Sequence, residues 1–558
     1  MGQAGIRRMS SRANSTFDAV IIGAGHNGLT AAAYLARAGY STLVLERRDL
    51  VGGCCVTEEI APGCSASTTS YIASMLRPEV IRDLRLAEHG LRMVPCDPAL
   101  QVPFPDGHLV SWWSQRDRVV EELRKICPQD AETFVRVDDS LKRLAHYLQP
   151  FFLEPPPEPG TQSFDGWAEL FRAAKRFRGI STGEISQLVS FLTGSIGDFL
   201  DRNYKSEKVK TLFLANNVYG KHGGPYQPGS ALGLLFHLLS GGEKDEQGFY
   251  GHVMGGMGSI TRAMARAAQV FGAQIRTGSP VRQIDVRDGG VRAVVLEDGT
   301  EIRARVVLSN ADPKRTFLGL VPENDLPADF VHAIRGIKMN GPCAKVNMVL
   351  AEEPRFTGTP ASYDRQQRSL FTLVPSLEFA ERCYDTAKFG EIPEELWVDC
   401  VIASNADPSL APAGKHIMTC FVQYVPYKLR QGSGFGTCDG NWDDNRELLG
   451  DRVVKKIAEY APNVSAAIEA RQVLTPLDLE RIYGLTEGNI FHGDLNLEQL
   501  FFNRPVAGWS QYRTPIAGLY LCGAGAHPGG GVTGAPGHNC AHQVLRDLKK
   551  GKFKEAVV

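Results

Sequence analysis

At 558 residues the chain exceeds the size at which one hydrophobic core keeps growing, so two or more lobes are expected. Its 43% hydrophobic and 22% charged residues exclude long disorder as the dominant state, and a formal net charge of −1 supplies no global field to attract nucleic acid. No uninterrupted apolar run of about 18 residues is present, which excludes a membrane-spanning helix.

The N-terminal stretch, residues 1–17, carries Arg7, Arg8 and Arg12, several serines and no acid before Asp18. That composition suits a short mitochondrial presequence or a disordered bacterial tail. Ile6 stands where a myristoylation signal wants Ser or Thr, so no lipid anchor is expected. From Ala19 to Ile22 a short apolar run precedes a glycine loop, an Ala- and Leu-rich stretch over Leu29–Ala38, and a second apolar run over Thr42–Leu45, which reads as strand, turn, helix, strand. Between about 75 and 250 the pattern turns helical, with a proline cluster at Pro155–Pro159. There the spacing of Trp167, Leu170, Phe171, Ala174 and Phe177, bordered by Arg172, Lys175, Arg176 and Arg178, predicts an amphipathic helix over Asp165–Arg178. Such a helix can pack on its own lobe or lie in a membrane interface. Past Gly255, the runs Val281–Val286, Val291–Leu296 and Val306–Ser309, separated by Asp-Gly and Gly-Gly turns, predict hairpins. A second region without clear periodicity extends to about 485, and the chain closes on a strand at Leu519–Leu521, a glycine-rich loop and a helix from about Ala535 to Leu548.

Gly23-Ala24-Gly25-His26-Asn27-Gly28 matches G-x-G-x-x-G, with Glu46 18 residues further on at the end of the next strand. Gly23 allows the tight turn, Gly25 lets the backbone approach a pyrophosphate, Gly28 lets helix and strand pack closely, and Glu46 can accept ribose hydroxyls. Glu46-x5-Gly52-Gly53 resembles the extended signature of glutathione-reductase-like flavoproteins, and the Gly523–Val532 loop offers close backbone approach to a ligand. The segments IIGAGHNGLTAAAYLARAG, VLERRDLVGG, GGMGSITRAMA, LEDGT, NIFHGDLNLEQLFFNRP and LYLCGAGAHPGGGVTGAPG together resemble the phytoene-desaturase-like FAD oxidoreductases, from Asp18 nearly to the C-terminus.

That resemblance implies non-covalent FAD, with Gly23, Gly25, His26, Asn27, Gly28, Glu46, Arg47, Gly52, Gly53, Val281, Gly523, Gly530, Gly531 and Val532 at cofactor-contact positions. It implies an α/β chain, α+β overall, with a Rossmann-type, glutathione-reductase-like FAD-binding domain assembled from 18–75, 250–335 and 488–558. A substrate or cap lobe is inserted over 76–249 and 336–487. The implied activity is hydride transfer from a hydrophobic, polyene or lipid-like substrate to FAD. A mainly binding or regulatory flavoprotein and a redox-neutral flavin isomerase remain alternatives. Ala526 departs from the family's T-x-P-G segment, which weakens a carotenoid substrate specifically.

Among side chains, His527 in the C-terminal glycine loop is the catalytic candidate, with ordering of that loop as the alternative reading, and His492 and Asp494 are candidates for the substrate cavity. His26 reads as packing beside the pyrophosphate, and Cys54-Cys55 as small buried filler. No metal-ligand spacing is present. The single complete dinucleotide loop predicts reoxidation by oxygen, a quinone or another acceptor and not by NAD or NADP. A hydrophobic small molecule and peripheral membrane contact are the expected partners, without nucleic acid. The expected location is the cytoplasm of a bacterium or the mitochondrial matrix of a eukaryote.

Overall fold

The computed structural model describes residues 16–162, 164–217, 220–239, 249–430 and 441–551. The tail or presequence expected over 1–17 lies outside the described residues except for its last two positions.

A seven-stranded sheet runs in the order Val281–Arg287, Gly290–Leu296, Glu301–Ser309, Thr16–Ile22, Thr42–Leu45, Gln274–Arg276. The long Glu301–Ser309 strand pairs with Thr16–Ile22 along one edge and with two strands along the other. Its first half pairs antiparallel with Gly290–Leu296, and its last residues pair parallel with Leu519–Leu521. Thr16–Ile22 lies parallel to both its neighbours, and the crossover to Thr42–Leu45 is the helix His26–Arg37. That helix is buried on nearly every side because the helices Gly258–Val270 and Ala535–Lys549 pack against it. Its alanines at 31 to 33 are the small residues such crowding requires. Gly537 marks the closest approach, since a Cβ there would stand 2.0 Å from the Asn27 carbonyl oxygen.

A second sheet, entirely antiparallel, has the order Leu370–Leu373, Trp397–Ile402, His416–Gln423, Cys343–Leu350, Ile468–Leu474. It occupies the region that shows no clear periodicity in the sequence. The reason is burial on both faces: every residue of Cys343–Leu350 and of Trp397–Ile402 is buried, so polar residues seldom alternate with apolar ones. One face, with Ala344, Val346, Met348 and Leu350, packs on the helix Trp442–Ala458 through Leu449, Val453 and Ile457. The opposite face carries Cys343, Lys345 and Asn347 and looks toward the first sheet's loops, where Asn347 Nδ2 donates to the Thr68 carbonyl (3.2 Å). Helices between Arg116 and Leu238 share a third core with one end of this sheet. Among the described residues no helix is long and apolar enough to cross a membrane.

Candidate active site

A cavity of about 460 Å³ opens between the two sheets, within the range of ligand and cofactor sites. One end of it is the glycine loop. Gly25 is the N-cap of the first helix, no side chain caps the helix, and its first turn holds no acid, so its leading N–H groups and positive dipole end stay available to an anion. Gly23 has φ +96°, a conformation that glycine adopts without a Cβ penalty. At Gly28 a Cβ would lie 2.2 Å from the Gly23 carbonyl oxygen, so only glycine lets the loop close.

Glu46 holds this loop as well as facing the cavity. Its Oε2 accepts from the Ala24 N–H (2.8 Å) and its Oε1 from the Arg48 N–H (3.0 Å), which fixes the carboxylate while leaving lone pairs for a ribose. The Gly52–Gly53 turn folds back onto the loop, with Gly52 N–H donating to the Ala24 carbonyl (2.9 Å). Gly23, Gly25, His26, Asn27, Glu46, Arg47, Gly53, Val281, Gly531 and Val532 all line the cavity. Gly28, Gly52, Gly523 and Gly530 do not border it; they stand behind the wall, where a Cβ would strike backbone or ring atoms at 2.2 to 2.7 Å. His26 Nε2 lies 3.0 Å from the Gly531 carbonyl, and burial lowers its imidazole to about 4, so it joins the two glycine loops as a neutral ring. Cys54 and Cys55 are pushed up to about 12 by burial and stay thiols, without the thiolate character redox exchange requires.

The fully buried Arg504 knits the second glycine loop in place. Its Nε and Nη2 donate to the Ala524 carbonyl (3.0 and 2.8 Å), Nη2 also to the Phe491 carbonyl (2.5 Å) and Nη1 to the Gln499 carbonyl (3.0 Å). The sequence offers no sign of this residue beyond an arginine in an apolar setting. Of the two readings of His527, its contacts favour loop ordering over catalysis. It does not border the cavity, and its Nε2 lies 2.7 Å from the Phe151 carbonyl, so it ties the loop to the helical lobe and does not face a cofactor ring. Burial lowers it to about 4. Of the other pair, His492 lines the cavity with φ +57°, its Nδ1 buried and without a partner. Asp494 does not; it accepts from the Asn340 N–H (2.9 Å) and Asn340 Nδ2 (2.7 Å) and is structural.

FAD fits these residues. Besides the glycine cradle, among the described residues the buried nitrogens His492 Nδ1, Arg48 Nη1 and Arg315 Nε lack partners and belong to side chains that border the cavity. Buried nitrogens of this kind carry a desolvation cost unless an acceptor meets them. The loop N–H groups and these nitrogens suit a diphosphate, Glu46 suits ribose hydroxyls, and Ser279, Pro280 and Val281 form a wall beyond it.

The opposite end is apolar: Tyr71, Ile72, Met75, Phe421, Leu479 and Ile490 line it. It contains one charged side chain that sequence reasoning missed. Lys345, 2% exposed, donates from Nζ to Thr419 Oγ1 (2.8 Å) and sits 4.4 Å from the Tyr71 ring centroid. Burial brings its amine from 10.5 down to about 7. Behind Tyr71, whose hydroxyl donates to Asp399 Oδ2 (3.1 Å), burial raises that carboxyl to about 7. The available signal was a single lysine inside the otherwise uncharged run Cys343–Leu350.

A family model described as flavin containing amine oxidoreductase matches residues 28–389. The rat pyridine nucleotide-disulfide oxidoreductase domain-containing protein 2 is 38% identical and covers 97% of this chain and 96% of its own length. A phytoene desaturase (lycopene-forming) from Pseudescherichia vulneris is 24% identical across 95% of this chain and 99% of its own. Among solved structures, cyclohexylamine oxidase from Brevibacterium oxydans aligns with a TM-score of 0.53 at 15% identity, covering 96% of this chain and 99% of that one.

Proposed function

The chain belongs to the flavin-containing amine oxidoreductase family, with FAD as its cofactor, and from that premise we propose that it dehydrogenates a neutral, hydrophobic substrate of polyene or lipid-like character. One observation carries this reading. The acids bordering the cavity among the described residues are Glu46 and Glu297, beside the glycine loop and Val281, whereas the apolar end has the basic side chain of Lys345. A protonated amine would find no bordering carboxylate there, among the described residues, to offset its desolvation, a cost an uncharged hydrocarbon does not face. The name of the phytoene desaturase relative, which pairs this family with a polyene, points the same way.

When bound, FAD supplies the two-electron acceptor for a hydride. The chain's own residues do the rest. Tyr71, Phe421 and Ile490 exclude water and hold an extended apolar substrate by contact. Forming a carbon–carbon double bond releases a proton from the carbon adjacent to the one that gives up the hydride. Lys345 accepts it: near neutrality a large fraction of its amine is unprotonated, and the Thr419 hydroxyl orients it. Thr419 Oγ1 donates to Asn347 Oδ1 (2.5 Å) and is left with its lone pairs toward the lysine.

The test is anaerobic mixing of the FAD-loaded protein with detergent-dispersed C30 and C40 polyenes in one arm and with benzylamine and putrescine in the other, followed by the oxidised flavin band. Bleaching by a polyene supports the reading; bleaching by an amine alone overturns it.

A further inference from the structure

The segment Phe164–Arg176 folds as one helix, yet its apolar residues do not share one environment. Leu170 and, just past the helix, Phe177 turn toward the protein, where Phe177 stacks on Phe151 (5.7 Å between centroids) and Tyr147 (6.1 Å). Arg176 pairs with Glu154 on the same side. Phe164, Trp167 and Phe171, spaced at three and four residues on the opposite side, are 88%, 62% and 73% exposed. The following helix, Thr182–Thr193, exposes Ile185 and Val189 as well, so five of the thirteen exposed large hydrophobic residues among the described ones fall within 164–189. Single exposed apolar residues are ordinary, but such a concentration marks an interaction surface.

We propose that this helix docks the protein on an anionic lipid bilayer, lying in the plane of the headgroups. Two features select a bilayer over a protein partner. The three aromatic rings project from a convex helix surface and not from a groove that a partner helix or strand could fill. The exposed basic residues Arg172, Lys175 and Arg178 flank them in a chain whose net charge is only −1, which places a local positive field beside the apolar stripe. An amphipathic helix with aromatics on one face and basic residues beside them is the arrangement that inserts its apolar face at the headgroup boundary. Trp167 suits that depth because its ring is amphipathic. The other side of the helix is held to the body of the protein by Phe177 and Arg176, so the surface is presented on a fixed element.

The experiment is flotation of the full-length, FAD-loaded protein with phosphatidylcholine vesicles and with vesicles holding about one third phosphatidylglycerol. Flavin absorbance and thermal unfolding report that each variant is folded. The wild type is expected to float with the anionic vesicles and to be released by 0.5 M salt. Trp167→Glu with Phe171→Glu should reduce the bound fraction at least about tenfold, and Arg172→Ser with Lys175→Ser and Arg178→Ser should weaken binding on the order of fivefold per charge removed. Equal flotation of wild type and the Trp167/Phe171 variant overturns the proposal, as does absence of wild-type binding at millimolar lipid. A wild-type dimer that the same double substitution converts to a monomer, without lipid binding by either, also overturns it and assigns the surface to a second copy of the chain.

Discussion

Replacing Lys345 with methionine keeps the length and apolar stem of the side chain and removes only the amine. With the lysine 2% exposed and its amine brought from 10.5 to about 7, holding the ammonium in the folded chain is disfavoured by about 5 kcal/mol, at about 1.4 kcal/mol per unit. The folded value lies below the unfolded one, so between pH 7 and 10.5 the unfolded chain binds the extra proton. The penalty is therefore full below about pH 7, fades as pH rises through that window, and is absent above it. Methionine removes the penalty and forfeits the hydrogen bond to Thr419, worth about 1 kcal/mol. Lys345→Met should then be more stable than wild type by about 4 kcal/mol near pH 6, with the difference vanishing by about pH 10. Urea unfolding of the FAD-loaded proteins, followed by tryptophan fluorescence at pH 6, 7, 8, 9 and 10, measures it. With any substrate that reduces the wild-type flavin, the same variant should turn over about 10² to 10⁴ times more slowly while retaining FAD. A variant that is no more stable than wild type at pH 6, or that turns over at the wild-type rate, refutes the assignment of a buried, near-neutral amine at the reacting end.

Glu46→Gln should weaken FAD binding by about 10- to 100-fold, because charge-assisted bonds from the Ala24 and Arg48 N–H groups and from the ribose are all reduced; flavin fluorescence titration measures this, and unchanged affinity counts against it. Arg504→Met should cost at least about 3 kcal/mol and release FAD, since the Ala524, Phe491 and Gln499 carbonyls lose their donor, and lysine should not rescue it because an ammonium cannot reproduce the fork of donors. Gly537→Ala should lower stability by about 1 to 3 kcal/mol by forcing apart the helices that meet at the Asn27 carbonyl, read as a shift in the urea midpoint at constant slope. Millimolar NADH or NADPH should leave the oxidised flavin band unchanged under nitrogen in a stopped-flow experiment. The Gly255–Gly258 turn, the nearest thing to a second dinucleotide loop, leads into a helix that packs on the first one within the same sheet assembly.

The cofactor end was legible because its chemistry is local in sequence. The predicted strand at Ala19–Ile22, helix from Leu29 and strand at Thr42–Leu45 correspond to Thr16–Ile22, His26–Arg37 and Thr42–Leu45. Glycine spacing identifies the loop because Gly28 answers to the Gly23 carbonyl five residues before it and Gly23 to a left-handed turn of its own backbone. The sequence leaves His527 open between catalysis and loop ordering for the converse reason. Its loop was located correctly, but the direction of its side chain depends on Phe151, 376 residues earlier in the chain. The exposed aromatics of Phe164–Arg176 lie between these cases: the helix was legible, whereas the turning of Phe177 toward Tyr147 and Phe151 was not.

The apolar end was hidden for a deeper reason, which is that register and not composition creates it. Lys345 stands opposite Phe421 on one neighbouring strand and Leu474 on the other, and side chains alternate between faces along Cys343–Leu350. The alternation puts Lys345 and Asn347 on the cavity side and Val346 and Met348 against Leu449, Val453 and Ile457. A slip of one residue would exchange those sets, driving the amine into the core beneath the Trp442–Ala458 helix and bringing valine and methionine to the cavity. That alternative strands a charged group without a hydroxyl partner, so the folded register is selected partly by Thr419, which meets Lys345 from two strand positions before Phe421. The residue proposed for proton transfer thus also penalises the wrong pairing of its own sheet, and its position in the cavity follows from strand pairing across some 75 residues that no short motif can encode.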